Sequence, residues 1–183
     1  KKYLVPYVKS SSELQQIEFD EKYKFRLFVC QEEKKAIDRG TKSWIDKFVN
    51  VPNKNDSQTV SEACAGHRPF WYSLNPKRGH IITAINPYER FFFTFSKEPL
   101  AIDQRLIALQ VQEGYDVELI AALLNSVITF LILEMRGTSR NLGALDLNAD
   151  FLKQIKMLNP NLLSKKNIDA IIAAFQPLKN RTI

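Results

Sequence analysis

The stretch that decides the fold is Asp116–Leu147, DVELIAALLNSVITFLILEMRGTSRNLGALDL. Asp116 carries a side-chain oxygen suited to capping a helix, and Glu118 sets negative charge against the positive end of its dipole. From Val117 to Met135 nearly every residue is apolar, and as a helix that run is about 28 Å long, enough to cross a small domain. A helix apolar on almost all sides is either buried in a core or spans a membrane. Glu118, Asn125, Ser126, Thr129 and Glu134 interrupt this one with groups that are costly in a bilayer, so it reads as a long buried core helix. Gly137 is the residue expected to turn left-handed and end it. Thr138–Asn141 then reads as a polar loop with Arg136 and Arg140 at its flanks. Leu142–Leu147 returns to an alternating pattern, that of a strand.

Around this helix the chain has 183 residues, 45% of them hydrophobic, which suits one domain with a substantial core and excludes bulk disorder. The net charge of +6 fits an anionic partner. Its distribution is uneven. Residues 136–183 hold eight Lys/Arg against three Asp/Glu, and residues 64–96 hold four against one, while the stretch between them is acidic. The ordinary alternative is solubilising charge. Cys30 and Cys64 make no disulfide framework in a chain of this length, and no signal peptide or lipidation motif is present. The expected setting is therefore a reducing cytoplasm, without a membrane. The opening Lys1-Lys2-Tyr3 reads as the start of a fragment cut from a longer protein.

In chain order, Tyr3–Val8 is extended, Ser10–Ser12 a turn, and Lys24–Cys30 a core strand. Ser43–Val49 is a short amphipathic helix whose Trp44, Phe48 and Val49 share a face turned to the core. Asn50–Ser61 is the most polar stretch, a long loop that separates a small N-terminal lobe of about residues 1–50 from a main region of about 64–160. Arg68–Leu74 reads as a strand with one of Trp71 and Tyr72 inward and the other at a surface. Asn75–Gly79 is a basic turn. His80–Ile85 and Arg90–Phe95 are two strands joined by Asn86-Pro87-Tyr88-Glu89, and Leu106–Val111 is another. After Leu147, Asp150–Met157 and Ile168–Phe175 are short helices, the second capped by Ser164 or Asn167 and ended by Pro177. Strands come first and helices later. The predicted class is α+β, with a mixed, mostly antiparallel sheet, a long buried helix and short C-terminal helices.

Catalytic chemistry is hard to find. Cys64-x-x-His67, with Cys30 and His80 far off, has zinc-ligand types without a paired spacing. Neither histidine belongs to a nucleophile arrangement, and no phosphate-binding glycine loop occurs. Glu32-Glu33 beside Lys34-Lys35 reads as a solvated charge run, with a nuclease site as the sharper alternative. What remains is a binding surface. Phosphate contacts need Lys, Arg and free amides, and base reading needs Arg, Asn or Gln. Arg68, Lys77, Arg78 and His80 in one block, with Arg136, Ser139, Arg140 and Asn141 in the other, supply these types, and Trp71 and Tyr72 stand beside the first block. For any one of them the plain alternative is a surface charge, and for Arg68 an internal salt bridge with an acid such as Glu134.

Leu123-Leu124-Asn125-Ser126, then Arg136-Gly137, then Gly143–Leu147, resemble the C-terminal part of adenine-specific DNA methyltransferases from bacterial restriction–modification systems. Arg68–Leu74 matches upstream, in the expected order. The resemblance implies a target-recognition domain that lies on double-stranded DNA beside a separate catalytic domain. Methyl transfer in that family needs a glycine-rich loop for S-adenosylmethionine and an Asp/Asn-Pro-Pro-Tyr motif that grips the flipped adenine. Asn86-Pro87-Tyr88 lacks the second proline, and the chain has only six glycines. The expectation is a non-catalytic recognition domain over residues 1–183, without cofactor or metal, whose missing catalytic domain binds S-adenosylmethionine. The alternative is a protein-interaction or assembly domain whose basic face meets an acidic partner.

Overall fold

The computed structural model describes residues 2–19, 24–55, 57–87, 91–139 and 145–181. By its contacts the chain divides into two units, Lys1–Val5 with Arg26–Pro76, and Pro6–Phe25 with Lys77–Ile183. The polar stretch Asn50–Ser61 falls inside the first unit, and the change to the second comes between Pro76 and Lys77.

The strands are β1 (Leu4–Val8), β2 (Phe25–Phe28), β3 (Arg78–Ala84), β4 (Thr94–Ile102) and β5 (Leu106–Leu109), and they form one sheet in the order β2-β1-β4-β3-β5. It is mixed: β1 runs parallel to β4, whereas β3 is antiparallel to both β4 and β5. A two-stranded hairpin follows later, β6 (Thr138–Ser139) with β7 (Leu145–Asp146). The class is α+β, as the order of patterns along the chain implied.

In the first unit, α1 (Arg39–Val49) is capped by Asp38, whose Oδ1 accepts from Thr41 N at 2.9 Å. Its buried anchor is Ile45, while Trp44 is nearly half exposed. A second short helix, α2 (Val60–Ala63), closes the polar stretch with a capping box between Thr59 and Glu62. Tyr3, Cys30, Ile37, Ile45 and Tyr72 make the core of this unit.

Arg68–Leu74 is not a strand. The segment turns on itself, with Ser73 N donating to Phe70 O, and its side chains bond inward. Tyr72 Oη donates to Glu32 O at 2.9 Å and Ser73 Oγ to Cys30 O at 2.9 Å. The aromatic run that suggests alternation is a packed loop, with Phe70 stacked on Tyr72 at 5.2 Å.

In the second unit successive residues of β3 feed opposite faces of the sheet, as strand geometry requires. Ile81 joins Phe93, Phe95, Ile107 and Leu124 on one side, and Ile82 joins Val8, Leu100 and Leu106 on the other. The predicted strand Arg90–Phe95 begins later than its sequence suggests, at Thr94, and runs on to Ile102. The turn motif Asn86–Glu89 lies partly outside the described residues, but β3 and β4 do pair as antiparallel neighbours.

The long helix is two helices. α3 (Val117–Leu124) and α4 (Val127–Arg136) meet at a bend of 55°. The break is chemical: Ser126 is extended and caps α4, its Oγ accepting from Thr129 N at 3.3 Å. Nor is the whole run buried. Val127 is 81% exposed and Met135 76%, with Ile128 and Leu131 beside them, so only Thr129 and Leu133 of α4 are buried. None of the described helices is by itself long and apolar enough to cross a membrane. Gly137 ends α4 in an extended conformation, φ −70°, not a left-handed one.

After β7 come α5 (Ala149–Leu152) and α6 (Lys165–Lys179), the latter capped by Ser164. Pro177 lies inside α6 instead of ending it. The last turn is held from outside, since Lys179 O accepts from Glu18 N and Lys179 Nζ pairs with Glu118 at 3.0 Å and Glu18 at 3.3 Å.

Candidate nucleic-acid interface

The predicted binding residues divide between the units. Arg68, Trp71 and Tyr72 belong to the first. The Arg68 side chain is exposed, and its guanidinium donates to the Ala65 and His67 carbonyls of its own turn at 3.0 Å each, rather than to a carboxylate such as Glu134. Tyr72 is 8% exposed, and burial pushes its phenol above the ordinary tyrosine value. It is a core residue with its hydroxyl already used, so it cannot meet DNA from this position. Trp71 is half-buried, and its carbonyl bonds His67 Nδ1 at 3.0 Å.

In the second unit, Lys77 and Arg78 stand where β3 begins. The Lys77 carbonyl accepts from Ile102 N at 3.0 Å and Arg78 pairs across to Ala101, so the backbone at this point is fixed while both side chains are exposed. Among the described residues neither cation has a carboxylate partner. His80 follows two residues on, but it serves the fold: its Nδ1 accepts from Val111 N at 3.2 Å, which leaves only Nε2 for a partner.

Gly79 between them is forced by space. A Cβ there would lie 2.7 Å from Leu109 O, because β5 passes directly against it.

The sequence reading missed one cation. Gly79 pairs with Leu100 and Ile81 with Phe95, so Ser96–Pro99 bulge out opposite His80. Lys97 is exposed in that bulge, opposite His80, with the exposed Glu98 next to it. The available signal was Pro99, since a proline in a central strand is found essentially only at a bulge.

Arg136 is the last residue of α4, exposed and without a carboxylate partner among the described residues, and its charge suits the negative end of the helix. Ser139 pairs with Leu145 in the β6–β7 hairpin. Arg140 and Asn141 lie outside the described residues. The hairpin is tied to the far end of β3, where Leu147 N donates to Ile85 O at 2.8 Å. Lys77 and Arg78 are thus at one end of β3, and Leu147, just past the hairpin, meets the other end at Ile85, about 23 Å away at the rise of a strand. The two basic blocks form two stations, not one cluster.

The two cysteines are unbridged, and among the described residues no three His, Cys, Asp or Glu side chains converge to hold a metal ion. Lys34 and Lys35 are engaged by carboxylates, Lys34 by Asp46 and Lys35 by Glu33 at 3.5 Å, so neither is a free cation.

No known family and no curated protein matches the sequence. Among solved structures, the chain is similar in fold to the type IIG restriction endonuclease BpuSI, with a TM-score of 0.59 and 13% sequence identity. The likeness covers 97% of this chain and 21% of BpuSI, so the chain spans about a fifth of that enzyme's length.

Proposed function

We propose that this chain is a DNA target-recognition domain of a restriction–modification adenine methyltransferase, and that it does no chemistry itself. The observation that carries the reading is the likeness in fold, over nearly its whole length, to part of a type IIG restriction endonuclease. The resemblance of Arg68–Leu74, Leu123–Ser126, Arg136-Gly137 and Gly143–Leu147 to adenine-specific methyltransferases is what narrows that likeness to a recognition domain.

The mechanism is sequence reading. Lys77, Arg78, Lys97 and Arg136 engage phosphates. Duplex DNA carries a charge for about every 1.7 Å of axis, so a surface as long as β3, ~23 Å at the rise of a strand, spans on the order of a dozen phosphates. Ser139, Arg140 and Asn141 are, by residue type, groups that can hydrogen-bond base edges. A catalytic domain elsewhere would hold S-adenosylmethionine and methylate the adenine that this domain positions.

Selection from a pool of randomised duplexes tests the reading. Enrichment of one short motif supports target recognition. Salt-dependent binding with no enriched motif contradicts it and leaves a non-specific DNA binder.

A second reading, a protein-interaction domain, draws on the apolar face of α4. Val127, Ile128, Leu131 and Met135 project from it in one patch, and such patches mark contact surfaces. The two readings are compatible if that face meets the catalytic domain.

A further inference from the structure

We propose that the first unit contains a binding site for a small, neutral, planar ring compound, in a cavity of about 350 Å³ walled by Phe28, Trp44, Phe48, Trp71 and Tyr72. The site is separate from the DNA reading and survives or fails without it.

The cavity is a cleft partly open to solvent, with Trp44 of its wall nearly half exposed, and not a closed interior void. Protein interiors hold few voids larger than a water molecule, whereas ligand pockets begin at about 300 Å³ and are lined mainly by apolar and aromatic side chains. Its walls come from three places. α1 contributes Trp44 and Phe48, one helical turn apart with ring centroids 4.7 Å apart. β2 contributes Phe28, 4.5 Å from Trp44. The loop after α2 contributes Trp71 and Tyr72, edge to face at 5.7 Å.

That loop is held before any ligand arrives. Tyr72 Oη bonds Glu32 O, Ser73 Oγ bonds Cys30 O, and Gln31 Nε2 donates to Leu74 O at 2.7 Å. A preformed wall spares a ligand the cost of ordering it.

The lining selects the ligand's chemistry. Phe28, Trp44 and Phe48 pack against one another as a continuous wall, unlike the separated rings that enclose an ammonium group. No carboxylate lines the cavity among the described residues, so a cation finds no counter-charge there. A nucleobase is disfavoured too. Its polar edge would need partners on burial, whereas the Tyr72 hydroxyl and His67 Nδ1 are already bonded and Arg26, the one charged side chain among the described lining residues, is already engaged. A flat ring with few polar atoms can stack on the aromatic wall and leaves nothing unpaired.

The chain has two tryptophans, Trp44 and Trp71, and both line this cavity. Their two indole N–H resonances in a nitrogen–proton correlation spectrum therefore report on the site alone. Titrated with 2-naphthol, both are expected to shift and to saturate. Adenosine and benzyltrimethylammonium are expected to shift neither.

Val60→Phe, which fills the cavity from α2, is expected to weaken 2-naphthol binding at least about tenfold with the rest of the spectrum preserved. Trp44→Ala removes a half-exposed wall residue, so it tests the site even if the filled variant does not fold, and it is expected to leave the Trp71 signal unresponsive. The proposal is overturned if neither indole shifts saturably, or if Trp44→Ala or a folded Val60→Phe binds as the parent does. It is equally overturned if adenosine or the ammonium compound binds more tightly, or if only the backbone amide signals around Ile128, Leu131 and Met135 respond.

Discussion

The side chain of Asn125 pairs with the main chain of Phe93 in both directions. Its Oδ1 accepts from Phe93 N at 2.9 Å, and its Nδ2 donates to Phe93 O at 2.8 Å and to Ala121 O at 2.9 Å. One amide thus closes the end of α3 and satisfies the backbone just before β4 begins. Asn125→Leu leaves those groups without partners and should destabilise the chain by about 1–3 kcal/mol. Asn125→Asp should be no better, because an oxygen then faces two carbonyls. Urea unfolding of the three proteins checks this, and equal midpoints would show that the pairing contributes nothing.

The helix around Asn125 shows what a sequence can and cannot disclose. The apolar run, its Asp116 cap and the polar interruption at Asn125 could be read directly. The break could not, although Ser126 supplied the means: a good N-cap within an apolar run can start a new helix, and here it does so beside the long-range pairing of Asn125 with Phe93. The exposed face of α4 was hidden for another reason, since hydrophobicity reports what prefers burial and not what covers it.

Leu131 and Leu133 make that distinction measurable, since they lie two residues apart on α4 at 57% and 1% exposure. Leu133→Ala should cost about 2–5 kcal/mol through the cavity it leaves. Leu131→Ser should change stability by no more than about 0.5 kcal/mol, as for an ordinary surface position. Thermal unfolding compares them. Similar losses in both would mean that α4 is covered on all sides.

Gly79 could be read only as part of a basic turn, because the approach of β5 is a long-range fact. With Leu109 O 2.7 Å from any added Cβ, Gly79→Ala must push β5 away, at a cost of about 1–3 kcal/mol. Hydrogen exchange at Leu109 and Val111 should quicken in the variant. Unaltered protection there would contradict the close approach.

Asp103 gives the fold an acid-side dependence. Its carboxylate accepts from Arg105 N and Nε at 3.1 Å each and from Tyr7 Oη at 3.2 Å. The Arg105 backbone bond first, then the Arg105 and Tyr7 side chains, hold its pKa below the ordinary aspartate value. A depressed pKa stabilises the fold above the unfolded value of about 3.9, and that contribution is lost as pH falls through the lower folded value. Asp103→Asn should therefore lower stability near neutrality and flatten its fall below about pH 4. Parallel acid profiles for the two proteins would remove Asp103 from the account.

The binding residues were the least readable part. Residue type identified the cations, but whether each was free depended on folding. Arg68 turned back on its own loop, Tyr72 went into the core, and Lys97 came out on a bulge. Lys77, Arg78 and Arg136 remain exposed without carboxylate partners among the described residues.

The central claim, phosphate engagement by those stations, is tested most directly by the salt dependence of duplex binding, read by fluorescence anisotropy. The chain should bind with a dissociation constant of about 10⁻⁴–10⁻⁶ M, and log affinity should fall linearly with log salt by about 0.9 for each phosphate neutralised. Lys77→Glu with Arg78→Glu should reduce that slope by about two units, and Arg136→Glu by about one. Lys165→Glu with Lys166→Glu, at the start of α6 where negative charge suits the helix dipole, should leave the slope unchanged. Equal loss in all three variants would mean attraction by net charge alone, and binding indifferent to salt or absent would contradict the account.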